Sequence, residues 1–201
     1  MPIYLARHGQ TQWNTQGRKQ GQGNSELTAK GIEQAKASAK LLTSLIGDSY
    51  QYSSVRLISS PLKRAKITAQ YILSNLNWPG MVLETADALM EISYGNWEGL
   101  TNEEVDECYP GQRKIRNKDR WNYLFDNGES YAMVFERVTM WMKTLDEREV
   151  NVIVTHDMVS RIMRGHYLGF GKSQMLKLTH PHNTIYLLDQ ETINSHSGDC
   201  G

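Results

Sequence analysis

The stretch Val150-Asn151-Val152-Ile153-Val154-Thr155-His156-Asp157-Met158-Val159-Ser160-Arg161 decides the fold class. Val150 to Val154 is a β-branched run too short for a helix, so it reads as a buried strand. From about Met158 to Tyr167 the apolar residues return at helical spacing, and a helix follows the strand directly. The same unit recurs along the chain. Ile3 to Ala6 and Val55 to Ile58 read as further strands, Ile185 to Leu188 as another, and Val82-Leu83 as a short one. Between them, Ile32, Ala35, Ala39, Leu42 and Ile46 fall on one helical face. Leu62, Ala65, Ala69, Ile72 and Leu76 repeat that spacing, as do Val134, Val138, Trp141 and Leu145. Strand–helix alternation predicts an α/β fold of three layers, α/β/α, with a mostly parallel central sheet and helices on both faces.

A chain of 201 residues, 39% of them hydrophobic and 22% charged, can bury a core without disulfides or metal. Its 22 basic and 22 acidic residues cancel, whereas a protein held to nucleic acid or acidic lipid by its overall field would be basic. No segment approaches the roughly 18–20 apolar residues of a membrane span. The opening Met1 to Ala6 has neither the basic nor the long apolar region of a signal peptide. Cys108 and Cys200 read as free thiols rather than a bridge. We therefore expect a soluble cytoplasmic protein with no nucleic-acid or membrane partner.

Two regions depart from the alternation. Residues 9–27 form a polar, Gly-rich loop, and residues 92–128 carry the basic run from Arg113 to Arg120. Residues from Gln190 onward read as a polar tail.

The chemistry gathers at strand ends. Arg7-His8-Gly9 follows the first strand and Thr155-His156 the third, and ligands of open α/β sheets sit beyond such ends. After the second strand, Ser60 reads as a helix N-cap and Pro61 as the first helical residue, with Arg64 in the first turn. A helix start offers free N–H groups to an anion, and arginine grips phosphate with a planar fork. Each feature alone has an ordinary structural use. Three consecutive strand ends bearing such groups point to one anion site.

The chain resembles the phosphoglycerate mutase-like branch of the histidine phosphatase superfamily from Ile3 to Leu188, which we take with its flanks as one catalytic domain, residues 1–189. The resemblance rests on Leu5-Ala6-Arg7-His8-Gly9-Gln10-Thr11 with Trp13-Asn14, Arg18 with Gln20-Gly21, and Leu27-Thr28 with Gly31. It continues through Ser60-Pro61-Leu62-Lys63-Arg64-Ala65, Glu91 with Gly95-Asn96-Trp97-Glu98-Gly99, Gly128-Glu129-Ser130 and Val154-Thr155-His156. It implies that His8 is a nucleophile that becomes phosphorylated and Glu91 the general acid. Arg7, Arg64 and His156 would hold the phosphoryl oxygens, with Asn14, Gln20 and Gly21 completing the substrate site. No cofactor or metal is implied, and the substrate would be a small phosphorylated metabolite handled by a monomer or homodimer. Glu91 should be kept protonated by burial among apolar neighbours such as Trp97.

Asp157 stands where the family usually has Gly, and reads as a solvated carboxylate at a helix start. Glu26 replaces a common Pro. His180-Pro181-His182 lacks a nearby third ligand and reads as a loop pair rather than a metal site. The basic run 113–120 reads as a solvated helix face or, alternatively, as a contact to a second anionic group of the substrate, with Arg18 and Lys19 as weaker candidates. We expect a metal-independent phosphatase acting on small monoesters through phosphohistidine; the alternative in the same fold is a mutase. A metal site of His8, His156 and Glu91 is opposed by the two arginines, which would repel a cation, and the full set of reactive residues speaks against an inert phosphate-binding module.

Overall fold

Each β-branched run of the sequence forms a strand, and the strands join one six-stranded sheet. The structure is a computed structural model that describes residues 2–47, 55–76, 78 and 80–198. The strands are β1 (Ile3–Arg7), β2 (Val55–Ser59), β3 (Leu83–Thr85), β4 (Val150–Thr155), β5 (Thr184–Asp189) and β6 (Thr192–Ser197). They lie in the order β3-β2-β4-β1-β5-β6. The first four in that order run parallel, while β5 pairs antiparallel with β1 and β6 antiparallel with β5.

Side chains of a strand alternate between faces, and here both faces are covered. Tyr4 and Ala6 of β1 join one core with Val152 and Val154 of β4 and with Ala39, Leu42, Ala65 and Ala69 of two helices, α2 (Ala29–Ile46) and α3 (Lys63–Leu76). Ile3 and Leu5 point the other way, into a core with Ile58, Ile153, Val134, Val138, Val159 and Ile162. The last four belong to or pack with α6 (Tyr131–Met142) and α7 (Asp157–Tyr167). Register then fixes where the chemistry goes. Arg7 lies beside Thr155, and Ser59 beside Val154, so the carboxyl ends of β1, β2 and β4 open at one level.

The remaining helices are short: α1 (Gln12–Thr15), α4 (Asn102–Cys108), α5 (Gln112–Lys118) and α8 (Lys172–Met175). Residues 9–27 are thus not all loop, since α1 lies within them and Thr11 bridges to Leu27. Thr101 and Glu104 form a capping box that starts α4.

Two local expectations are corrected. Helix α3 begins at Lys63, with the Leu62 carbonyl accepting from the Ala65 and Lys66 amides, so neither Ser60 nor Pro61 opens it. Ser60 Oγ accepts from the Leu62 amide at 3.3 Å and spends its other bond on His156. The polar stretch after Gln190 is no free tail: residues 192–197 form the edge strand β6. Gln190 and Glu191 turn the hairpin with φ of 47° and 61°, the conformation of a two-residue type I′ turn. Cys108 is an exposed free thiol, and Cys200 lies outside the described residues.

Candidate active site

His8 is the residue just past β1, and three hydrogen bonds hold its backbone and that of Gly9. Its amide donates to the Thr155 carbonyl at 3.0 Å, extending the sheet ladder. The Gly9 amide donates to Thr68 Oγ1 at 3.0 Å, and the His8 carbonyl accepts from His182 Nδ1 at 2.6 Å. Gly9 itself has no room for a side chain, because a Cβ there would sit 2.2 Å from the Gly31 carbonyl oxygen at the start of α2.

The ring of His8 is equally determined. Nδ1 lies 2.8 Å from the Gly9 carbonyl, which can only accept, so Nδ1 carries the proton. Nε2 then bears the lone pair, and it accepts from Arg64 Nε at 3.2 Å. Burial, followed by the charge of Arg64 and the neighbouring His156 and Arg7, holds the His8 pKa well below the ordinary histidine value. The imidazole is therefore neutral at neutral pH.

Arg64 is almost wholly buried and donates to the Gly21 and Gly23 carbonyls at 2.6 and 3.0 Å. Gly21 reaches that pose at φ +51°, where a Cβ would also strike Glu98. Burial brings the Arg64 pKa down to about 10, leaving it charged. Arg7 donates from its terminal nitrogen to the His180 carbonyl at 2.6 Å. The His156 ring lies 5.1 Å from that of His8, and its Nε2 meets Ser60 Oγ at 2.8 Å. Its pKa is likewise well below the ordinary value, through burial and then Arg64 and Arg7.

Glu91 is buried, its Oε1 accepting from the Ile92 amide at 3.0 Å and its Oε2 from the Met158 amide at 3.3 Å. Its pKa is raised, by burial first and by Asp157 second, against the opposing pull of those amides and of Arg64. Trp97 packs its ring against Phe125, Tyr123 and Tyr109. Asp157 is more than a solvated end of α7: it pairs with Arg161 and accepts from the His180 amide at 2.9 Å.

Arg7, His8, Asn14, Gln20, Gly21, Arg64 and Glu91 all line one cavity of about 250 Å³. Gly17, Arg18, Lys19, Tyr94 and Asp157 complete it. Three buried nitrogens at or beside it, the donors Arg7 Nε and Gln20 Nε2 and the ring atom His156 Nδ1, have no hydrogen-bond partner among the described residues. A buried donor without a partner costs about 1–3 kcal/mol, which an anion placed among them would relieve. Tyr94 escaped the sequence reading, since an aromatic in a loop carries no periodic signal, and Ser60, read there as a helix cap, instead meets His156.

The basic run divides. Lys114, Asn117, Lys118 and Asp119 are exposed. Arg113 pairs with Asp106 at 2.5 Å, while Arg116 turns inward to donate to Tyr131 at 3.0 Å. Arg18 is paired with Glu104 at 2.7 Å. Lys19 bonds Asn102 at 2.7 Å, and burial with nearby Arg116 and Arg113 lowers its pKa to about 8. Glu26 pairs with Lys63 at the surface, away from the chemistry. Among the described residues no group of three or more His, Cys, Asp or Glu is arranged to hold a metal ion, and none of the helices described there is long and apolar enough to cross a membrane.

The sequence model of the histidine phosphatase superfamily (branch 1) matches residues 3–194. A curated relative, 6-phosphofructo-2-kinase/fructose-2,6-bisphosphatase 1 of Mus musculus, is 31% identical over 186 residues, covering 92% of this chain but 36% of its own length. The chain thus spans about a third of that relative. Among solved structures, alpha-ribazole phosphatase from Shigella flexneri superposes with a TM-score of 0.81 at 24% identity, covering 98% of this chain and 96% of that one, a likeness of fold. A mycobacterial glucosyl-3-phosphoglycerate phosphatase, solved with VO3, has a TM-score of 0.76 at 25% identity over 98% and 96% of the two chains.

Proposed function

Since the chain belongs to the histidine phosphatase superfamily, we propose that it hydrolyses small phosphate monoesters through a phosphohistidine on His8. The observation that carries this reading is the state of His8: a neutral ring with its proton committed to Gly9 and its Nε2 lone pair beside Arg64 in an anion-ready cavity. Nε2 attacks phosphorus, the ester P–O bond breaks, and Glu91 gives its proton to the leaving oxygen. Arg7, Arg64 and His156 take up charge on the equatorial oxygens, with Asn14 and Gln20 as further donors. Water then attacks phosphorus, the P–N bond breaks, and the Glu91 carboxylate accepts the water's proton. Inorganic phosphate leaves and both groups return to their starting states.

The relatives bearing phosphatase names support hydrolysis over a mutase reaction. A mutase must shield phosphohistidine from water until an acceptor hydroxyl turns toward it. Beyond the strand ends, the cavity is lined by short stretches, Asn14, residues 17–21, Glu91 and Tyr94, with no long insertion among them. A panel of unrelated monoesters, run beside 3-phosphoglycerate, tests the reading. Phosphate release should exceed isomerisation to 2-phosphoglycerate; isomerisation much faster than any hydrolysis would make the enzyme a mutase.

A further inference from the structure

The segment His180-Pro181-His182 contacts the site without belonging to its cavity. It is itself well anchored. The His180 ring is buried, donating from Nε2 to the Thr184 carbonyl at 2.9 Å, so its Nδ1 accepts from Ser160 Oγ at 2.6 Å. Arg164 adds a bond to the Thr179 carbonyl at 2.7 Å. From this anchorage the segment reaches three site residues. The His180 carbonyl takes the Arg7 guanidinium, the His180 amide holds Asp157, and His182 Nδ1 lies 2.6 Å from the His8 carbonyl.

That carbonyl can only accept, so His182 donates. The bond begins a chain. The His8 carbonyl and the Gly9 N–H belong to one peptide group, Gly9 donates to Thr68 Oγ1 at 3.0 Å, and Thr68 donates to the Arg64 carbonyl at 2.8 Å. Donation into one end of a peptide strengthens donation from the other. His182 thereby ties the strand end that carries His8 to the helical turn that carries Arg64. Its ring also meets that of His8 edge-on, centroids 5.4 Å apart.

We propose that His182 is a positioning residue for the nucleophile: by holding the His8–Gly9 peptide it fixes the line along which Nε2 approaches phosphorus. This rests on the reading of His8 as nucleophile. An error of about 1 Å in such a geometry can cost about a hundredfold in rate.

The test compares wild type with His182→Phe, which keeps a ring without the donor, and His182→Asn, which returns an N–H near the same place. With an aryl phosphate, His182→Phe should lower kcat and the rate of phosphoenzyme formation about tenfold or more, with KM and Tm nearly unchanged. His182→Asn should recover most of the loss. If Phe does not fit, His182→Leu makes the same comparison. Equal losses in the donor and non-donor variants, or a non-donor variant labelling at the wild-type rate, would overturn the proposal. Wild-type protein that never labels on His8 would overturn the nucleophile reading along with it.

Discussion

Arg64 Nε donates to His8 Nε2 at 3.2 Å, directly onto the lone pair that the proposed reaction requires. The guanidinium of Arg64 thus rests on the nucleophile, while its two terminal nitrogens donate to the Gly23 and Gly21 carbonyls. In the reaction proposed above, a phosphoryl oxygen that takes that N–H frees Nε2 in the same movement, so substrate binding and nucleophile release become one event.

Arg64→Ala should therefore lower kcat about 10²–10³-fold, the usual effect of losing one such transition-state donor. Because Arg64 is the largest charge depressing His8, the same variant should move the acid limb of the rate profile to higher pH. A variant of near-normal turnover would remove Arg64 from the reaction.

The pH dependence follows from two opposed shifts. His8 must be neutral, and its lowered pKa means that activity fails only when pH falls well below the ordinary histidine value. Glu91 must be protonated, and its raised pKa means that the acid is lost as pH rises through a value above the ordinary carboxylate range. Alkyl phosphates, whose alkoxides need a proton, should show the basic limb; nitrophenyl phosphate should show little of it. Glu91→Gln should penalise alkyl substrates far more than aryl ones, and equal losses on both would deny Glu91 its role.

Stability should also depend on pH. His8, His156 and His180 are buried and His182 is half-buried, all with lowered pKa, the last two at about 3 and about 4. Between those values and the unfolded histidine value of about 6.5, the unfolded chain binds more protons than the folded one, so stability is lost as pH falls. Glu91 acts in the opposite sense, one group against four. Melting temperature measured from pH 7 down to pH 4 should fall steeply, and a flat profile would mean that these rings are not buried neutral.

Most of this arrangement was legible because it depends on periodicity and on strand ends. Ile3 and Leu5 on one face of β1 and Tyr4 and Ala6 on the other announce the two-sided core, and Arg7, His8 and His156 stand where parallel strands stop. What was hidden lacks such a signal. Strand β6 follows a turn of Gln190 and Glu191, whose positive φ would ordinarily be advertised by Gly or Asn. Ser60 has the composition of a cap, but its hydroxyl serves His156. His182 reaches His8 through a backbone carbonyl far away in sequence, a contact that no spacing encodes.

Gly9 tests the close approach of β1 to α2. In Gly9→Ala the new Cβ would press on the Gly31 backbone, with no flexible side chain to yield. The strain should cost about 1–3 kcal/mol or more and displace His8, lowering both Tm and turnover. A substitution that leaves Tm unchanged would show that the two backbones can separate freely.

The central claim is that His8 carries the phosphoryl group. The enzyme should be mixed with a reactive aryl phosphate, quenched without acid, and its phosphopeptide mapped by mass spectrometry. An acid-labile, base-stable phosphoryl group on His8, absent together with turnover in His8→Ala, is the predicted result; substantial turnover by His8→Ala, or a label on any other residue, would contradict it.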